Sequence, residues 1–116
     1  MNLVVQVDDG IHHLHCQGEL DMGTVVSFDQ VMESILHDES LKAVIFDLKE
    51  LTFVDSTGIG QLLKYCQQLD SRQIPYYLVN ISANIQEIFE VLGLSTVIGQ
   101  ERFQPTALAA KELLNK

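Results

Sequence analysis

The run from Ala43 to Leu69 limits what this chain can fold into more than any other stretch. Ala43-Val44-Ile45-Phe46-Asp47-Leu48 is apolar and rich in β-formers, which suits a strand covered on both faces in a partly parallel sheet. Leu51-Thr52-Phe53-Val54 then leads, as a loop, into Asp55-Ser56-Thr57-Gly58-Ile59-Gly60. Beyond it Ile59, Leu62, Leu63, Cys66 and Leu69 recur at three- and four-residue steps and predict one buried helical stripe. The expected join is strand, loop, helix start, with Asp55 or Ser56 as the N-cap whose side-chain oxygen accepts an amide that the first turn leaves unpaired.

Two glycines in a first turn need a reason, because each costs about 1 kcal/mol relative to alanine inside a helix. One reason is access: Gly58 and Gly60 strip side chains from around Ser56 and leave its hydroxyl and nearby amides open to a phosphate, a substrate or a partner backbone. The other is packing, a helix start pressed tightly against a neighbouring strand.

The rest of the chain builds one domain, 1–116, around that join. A chain of 116 residues suffices for a single core and is too short to expect two. Leu3 to Val7 and Ile11 to Gln17 flank the turn signal Asp8-Asp9-Gly10 and predict an opening hairpin. Gly18-Glu19-Leu20-Asp21 breaks the second strand. From Thr24, a plausible cap, Val25, Phe28, Met32, Ile35 and Leu36 form a helical stripe that ends near His37-Asp38-Glu39-Ser40. Pro75 introduces a short strand, Tyr76 to Val79, placed parallel to the central one by a right-handed crossover. Ser82 caps a helix with Ile85, Ile88, Phe89 and Leu92 on one face, ending at Gly93. Thr96-Val97-Ile98 reads as a last strand, and Pro105 leads into a helix from Thr106 to Leu114 that offers Ala107, Leu108, Ala110 and Leu114 for packing. The expected fold is α/β: a mixed sheet of about five strands with about four helices.

Charge and composition narrow the partners. With Lys plus Arg at 7 against Asp plus Glu at 16, the net charge of −9 repels nucleic acid and anionic headgroups and favours a basic protein surface. No apolar run is long enough for a bilayer, and Met1-Asn2-Leu3-Val4-Val5 lacks the basic flank of a signal peptide, so the expectation is a soluble, cytoplasmic protein without membrane insertion. Cys16 and Cys66 are expected as reduced, buried thiols.

Catalytic patterns are missing. Val54-Asp55-Ser56-Thr57-Gly58 does not fit the Gly-x-Ser-x-Gly nucleophile elbow, and no histidine can be placed beside Ser56. Asp55-Ser56-Thr57-Gly58 also differs from the shorter aspartic-protease element, which needs a second facing carboxylate. There is no Gly-rich loop with lysine for nucleotide phosphates. His13 and His15 share one strand face and could present two imidazoles to a metal, but no third ligand is evident nearby. The reading is therefore a non-enzyme with no cofactor and no metal.

The Val54 to Gly60 run after a buried strand resembles the signature of STAS domains, the family that includes bacterial anti-sigma factor antagonists. Gly18-Glu19-Leu20-Asp21 is similar to that family's Gly-x-Leu-Asp loop, and Asn80 to Leu94, ending Val91-Leu92-Gly93-Leu94, resembles its later helix with a Gly-Leu exit. The resemblance implies a partner-switching regulator that binds an anti-sigma factor doubling as a serine kinase and is released when that kinase phosphorylates Ser56. A serine phosphatase resets it. Thr57 stands where a second serine or small residue is common and is a possible minor acceptor. Asp21 is expected near Ser56, helping to dock the kinase. Asp55, Gly58 and Gly60 complete the partner-binding loop, and Ile59 is either a docking contact or core. The free protein is expected to be a monomer. The alternative is a STAS binding subunit of a membrane-lipid transport complex, in which the same loop docks on another protein and Ser56 stays unmodified.

Overall fold

Asp9 and Gly10 both take positive φ, 51° and 81°, the two-residue turn geometry whose twist matches that of hairpin strands. In the computed structural model, which describes all 116 residues, they join β1 (Asn2–Asp8) to β2 (Ile11–Leu20) in antiparallel register, Asp8 opposite Ile11. β2 runs parallel to β3 (Ala43–Asp47), and β3 to β5 (Tyr76–Val79), which gains a two-residue neighbour, β6 (Phe103–Gln104). The order is β1-β2-β3-β5-β6, with β4 (Leu51–Val54) on the distal end of β2.

That last pairing corrects two expectations. Leu51 to Val54 is a strand rather than a loop, and Gly18 does not end β2. Gly18, at φ 101°, forms a bulge after which Glu19 and Leu20 pair with Phe53 and Val54. The physical reason is supply of partners: β3 ends at Asp47, so the backbone beyond Gln17 needs another ladder, and β4 provides it while burying Leu51 and Val54.

Four helices cover one face of the sheet: α1 (Val25–His37), α2 (Ser56–Ser71), α3 (Ala83–Val91) and a short α4 (Leu94–Ile98). Their core includes Phe28, Met32, Leu62, Tyr65, Cys66, Leu69, Ile85 and Phe89 against Leu14, Cys16, Val44, Phe46 and Leu78 of the strands. α5 (Ala107–Leu114) covers the other face, where Ala110 packs on Ile45 and Val79. Every residue of β3 is buried because its side chains alternate between the two layers.

The expected strand at Thr96-Val97-Ile98 is instead α4. Gly93, in the left-handed region at φ 78°, turns the chain out of α3, and Leu94 is buried in the main core. The β-branched residues do not find a sheet edge, since Phe103 and Gln104 occupy the one beside β5. Leu92 and Leu108, expected to pack, are exposed. Ser82 caps α3 as the sequence predicts, accepting from the Ile85 amide, and Thr106, expected as the first residue of the last helix, is the N-cap of α5 and accepts from the Ala109 amide. Thr24 occupies the α1 N-cap position without a cap bond; its hydroxyl donates to the Glu19 carbonyl and accepts from the Asp21 amide. Both cysteines are free and buried, and burial pushes each thiol up to about 12. No helix is long and apolar enough to cross a membrane.

Candidate functional site at the start of the central helix

Asp55, in extended conformation at φ −105° and ψ −179°, is the N-cap of α2. Its Oδ1 accepts the Gly58 amide at 2.8 Å, and its Oδ2 accepts the Met22 amide at 3.1 Å. The Asp55 amide in turn donates to the Leu20 carbonyl at 3.3 Å. One carboxylate thus caps the helix and ties it to the loop that follows β2. The two sequence motifs, more than thirty residues apart, form a single piece of surface.

The two glycines divide the roles weighed for them. A Cβ on Gly58 would stand 2.9 Å from the Leu20 carbonyl carbon and closer still to its oxygen, so Gly58 is there for close packing on the end of β2. A Cβ on Gly60 would meet nothing within 4 Å. Gly60 is exposed, as are Ser56 and Thr57, whose hydroxyls have no intramolecular partner. Their amides, at the first two helical positions, also lack one, because the cap carboxylate takes the Gly58 amide and the Asp55 carbonyl takes that of Ile59. Ile59 is 7% exposed and belongs to the core, so of the loop's residues Ser56, Thr57 and Gly60 face out while Gly58 and Ile59 lie beneath them.

Asp21 bears on this site through the turn it shapes. Its Oδ1 accepts from the Gly23 amide at 2.9 Å and lies 3.3 Å from the Thr24 hydroxyl, which shapes the turn into α1. That turn is what presents the Met22 amide to Asp55.

Beside Ser56 lies an open groove of about 470 Å³. Phe53 and Val54 form one side, and Ile88, Val91 and Leu92 of the α3 end form the other. Phe53, Val91 and Leu92 are 44%, 79% and 41% exposed, and Met22 and Val26 stand out from the start of α1. Fully burying an exposed side chain of this kind is worth about 1.5–3 kcal/mol, and Phe53 and Leu92, already more than half buried, would contribute about half of that, so the groove offers an apolar surface to a protein partner. Sequence reasoning missed it. Val91 carried a signal: it falls between the stripe positions of α3, so an apolar residue there faces out.

The STAS domain family model matches residues 2–110. The chain belongs to the STAS domain family. Among the relatives of this STAS domain is the anti-sigma-B factor antagonist of Staphylococcus aureus (strain NCTC 8325 / PS 47), 24% identical over 98 residues that span 84% of this chain and 90% of the relative. The crystal structure of an anti-sigma factor antagonist from Mycobacterium paratuberculosis superposes with a TM-score of 0.85 at 22% identity, covering 99% of this chain and 94% of that one. The Bacillus cell fate determinant SpoIIAA in its phosphorylated form gives a TM-score of 0.73 at 20% identity, covering 97% and 99%. At these identities the structural likenesses establish the shared fold.

Proposed function

We propose that this STAS domain is a partner-switching regulator: unphosphorylated, it binds an anti-sigma factor that is also a serine kinase, and phosphorylation of Ser56 by that kinase releases it. A serine phosphatase returns it to the binding state. The observation that carries the reading is an exposed Ser56 hydroxyl without an intramolecular partner, at a helix start and on the rim of an apolar groove. The hydroxyl is available to a kinase, and the groove supplies affinity that the modification can oppose.

Charge makes the switch. Phosphorylation adds about −1.5 to −2 charges beside Asp55, on a chain of net charge −9. Within the domain the free amides of Ser56 and Thr57 and the helix dipole offset part of that charge, so the fold tolerates it. Against a docked partner the phosphate must be desolvated, with Glu87 and Asp55 already lining the groove. A coupling of about 3 kcal/mol changes affinity by roughly a hundredfold. Thr57, exposed as well, is the minor acceptor.

The relatives named anti-sigma-B factor antagonist support this reading over a transport-complex subunit. Incubation with the cognate kinase and Mg-ATP, followed by peptide mapping, tests it. Phosphate on Ser56 is the expected result; phosphate on Ser27, Ser40 or Ser82 instead overturns the assignment. Co-purification with a transporter ATPase, without modification of Ser56, supports the subunit reading.

A further inference from the structure

The sheet face beneath α5 carries a cluster unrelated to the Ser56 surface. In the β2–β3 register His13 stands opposite Ile45 and His15 opposite Asp47, so two histidines of one strand and an aspartate of the next share a face. His13 Nε2 lies 2.9 Å from Asp47 Oδ2, and His15 Nδ1 lies 3.6 Å from the same oxygen. One donor atom from each residue falls within 4.8 Å of the other two. Around a tetrahedral zinc with bonds of about 2.0–2.1 Å, donors stand about 3.3 Å apart. The two separations bracket that value.

The surroundings orient the donors. Asp47 Oδ1 accepts the Asn80 side-chain amide at 3.1 Å and the Lys49 backbone amide at 3.2 Å, which leaves Oδ2 for the histidines. His15 Nε2 lies 2.9 Å from Gln6 Oε1; in the tautomer that donates this bond, Nδ1 presents its lone pair 3.6 Å from Asp47 Oδ2. A structural hydrogen bond accounts for His13 against Asp47. At 3.6 Å His15 Nδ1 is beyond hydrogen-bond length from the same oxygen, a separation that an ion between the two groups can span. Such an outer shell, an amide on the carboxylate and an acceptor on the far nitrogen of an imidazole, is what holds metal ligands in place. The site opens to solvent on the His15 side through a polar depression lined also by Lys49, Glu50 and Asn80. Neither Lys49 nor Lys111 pairs with Asp47.

The geometry points to a binding site for a divalent transition-metal ion, Zn²⁺ by donor type, held by His13 Nε2, His15 Nδ1 and Asp47 Oδ2. The imidazole–imidazole–carboxylate set suits zinc rather than calcium or magnesium. The fourth position faces the depression and takes water. The two rings, stacked at 4.1 Å with 22° between their planes, open by rotation about χ2 to bring their lone pairs onto the ion. His15, the more exposed, has room to do so. Binding replaces the His13 Nε2–H bond to Asp47: the neutral ring takes its Nδ1–H tautomer, which frees the Nε2 lone pair for the ion with no net release of a proton.

Calorimetric titration of ZnCl₂ into the full chain in a non-chelating buffer tests the site, with Co²⁺ as a spectroscopic probe. The expected result is one Zn²⁺ per chain, a rise in melting temperature with zinc, and visible d–d bands of a low-coordinate Co²⁺ complex. His15→Ala should weaken binding at least about tenfold and abolish the bands, and Asn80→Ala should weaken it by about 10–100-fold while leaving every ligand in place. His37→Gln, at an exposed histidine outside the cluster, should change nothing. If His15→Ala melts early, His15→Gln keeps size and polarity and serves in its stead. Absence of zinc binding by the wild-type chain overturns the proposal, as does wild-type affinity in a folded His15 variant or loss of binding in His37→Gln alone.

Discussion

Replacing Gly58 and Gly60 separately by alanine places the same methyl two residues apart on α2 and should give opposite signs. At Gly60 the new Cβ meets nothing within 4 Å, so the change keeps only the helix-propensity gain of up to about 1 kcal/mol. At Gly58 it runs into the Leu20 carbonyl group, with 2.9 Å to the carbon where ordinary contact begins at 3.4 Å. The carbonyl belongs to backbone and must recede on the order of 1 Å, an overpacking cost of about 1–3 kcal/mol. Receding also stretches the bonds from Asp55 N to Leu20 O and from Met22 N to Asp55 Oδ2, already 3.3 and 3.1 Å. Two such bonds contribute about 1–3 kcal/mol together. Set against the propensity gain, Gly58→Ala should lose about 1–5 kcal/mol, while Gly60→Ala should gain a fraction of 1 kcal/mol. Urea denaturation with equal m-values measures both. If Gly58→Ala is as stable as wild type, or if Gly60→Ala loses as much, the assignment of close approach to one glycine and open space to the other is wrong.

Four further outcomes follow from the site. Ser56→Ala should cost less than about 0.5 kcal/mol, because Asp55 rather than Ser56 is the cap; a thermal melt checks it. Asp55→Ala removes the cap and the tie to Met22 and should cost about 1–3 kcal/mol in the same melt. Ser56→Asp should fold as well as Ser56→Ala yet bind the kinase more weakly, partially mimicking phosphoserine, so equal affinities by calorimetric titration would refute an electrostatic switch. Val91→Glu alters an outward-facing side chain and should change stability by no more than about 0.5 kcal/mol. Its partner affinity should fall at least about tenfold, as a charge enters the groove.

Much of this domain is written in local signals that need no tertiary context. The Asp9-Gly10 turn, the cap at Ser82, the cap at Asp55, one of the two residues offered for it, and the stripes of α1 and α2 depend on residues a few positions apart, and each appears where its pattern predicts. Those short-range choices fix the alternation of strand and helix. Tertiary structure decided the rest, because pairing energies depend on what else is available. Leu51 to Val54 became a strand once β2 outran β3, and Thr96 to Ile98 became a helix once Phe103 and Gln104 held the edge of β5. Gly58 and Gly60 are chemically identical in the sequence; only the approach of Leu20 distinguishes the packed glycine from the open one. Likewise His13 and His15 advertise a pair by their spacing, whereas their third neighbour, Asp47, lies 34 residues beyond His13. The parallel register of two strands brings it to them, and no periodicity within either strand encodes that register.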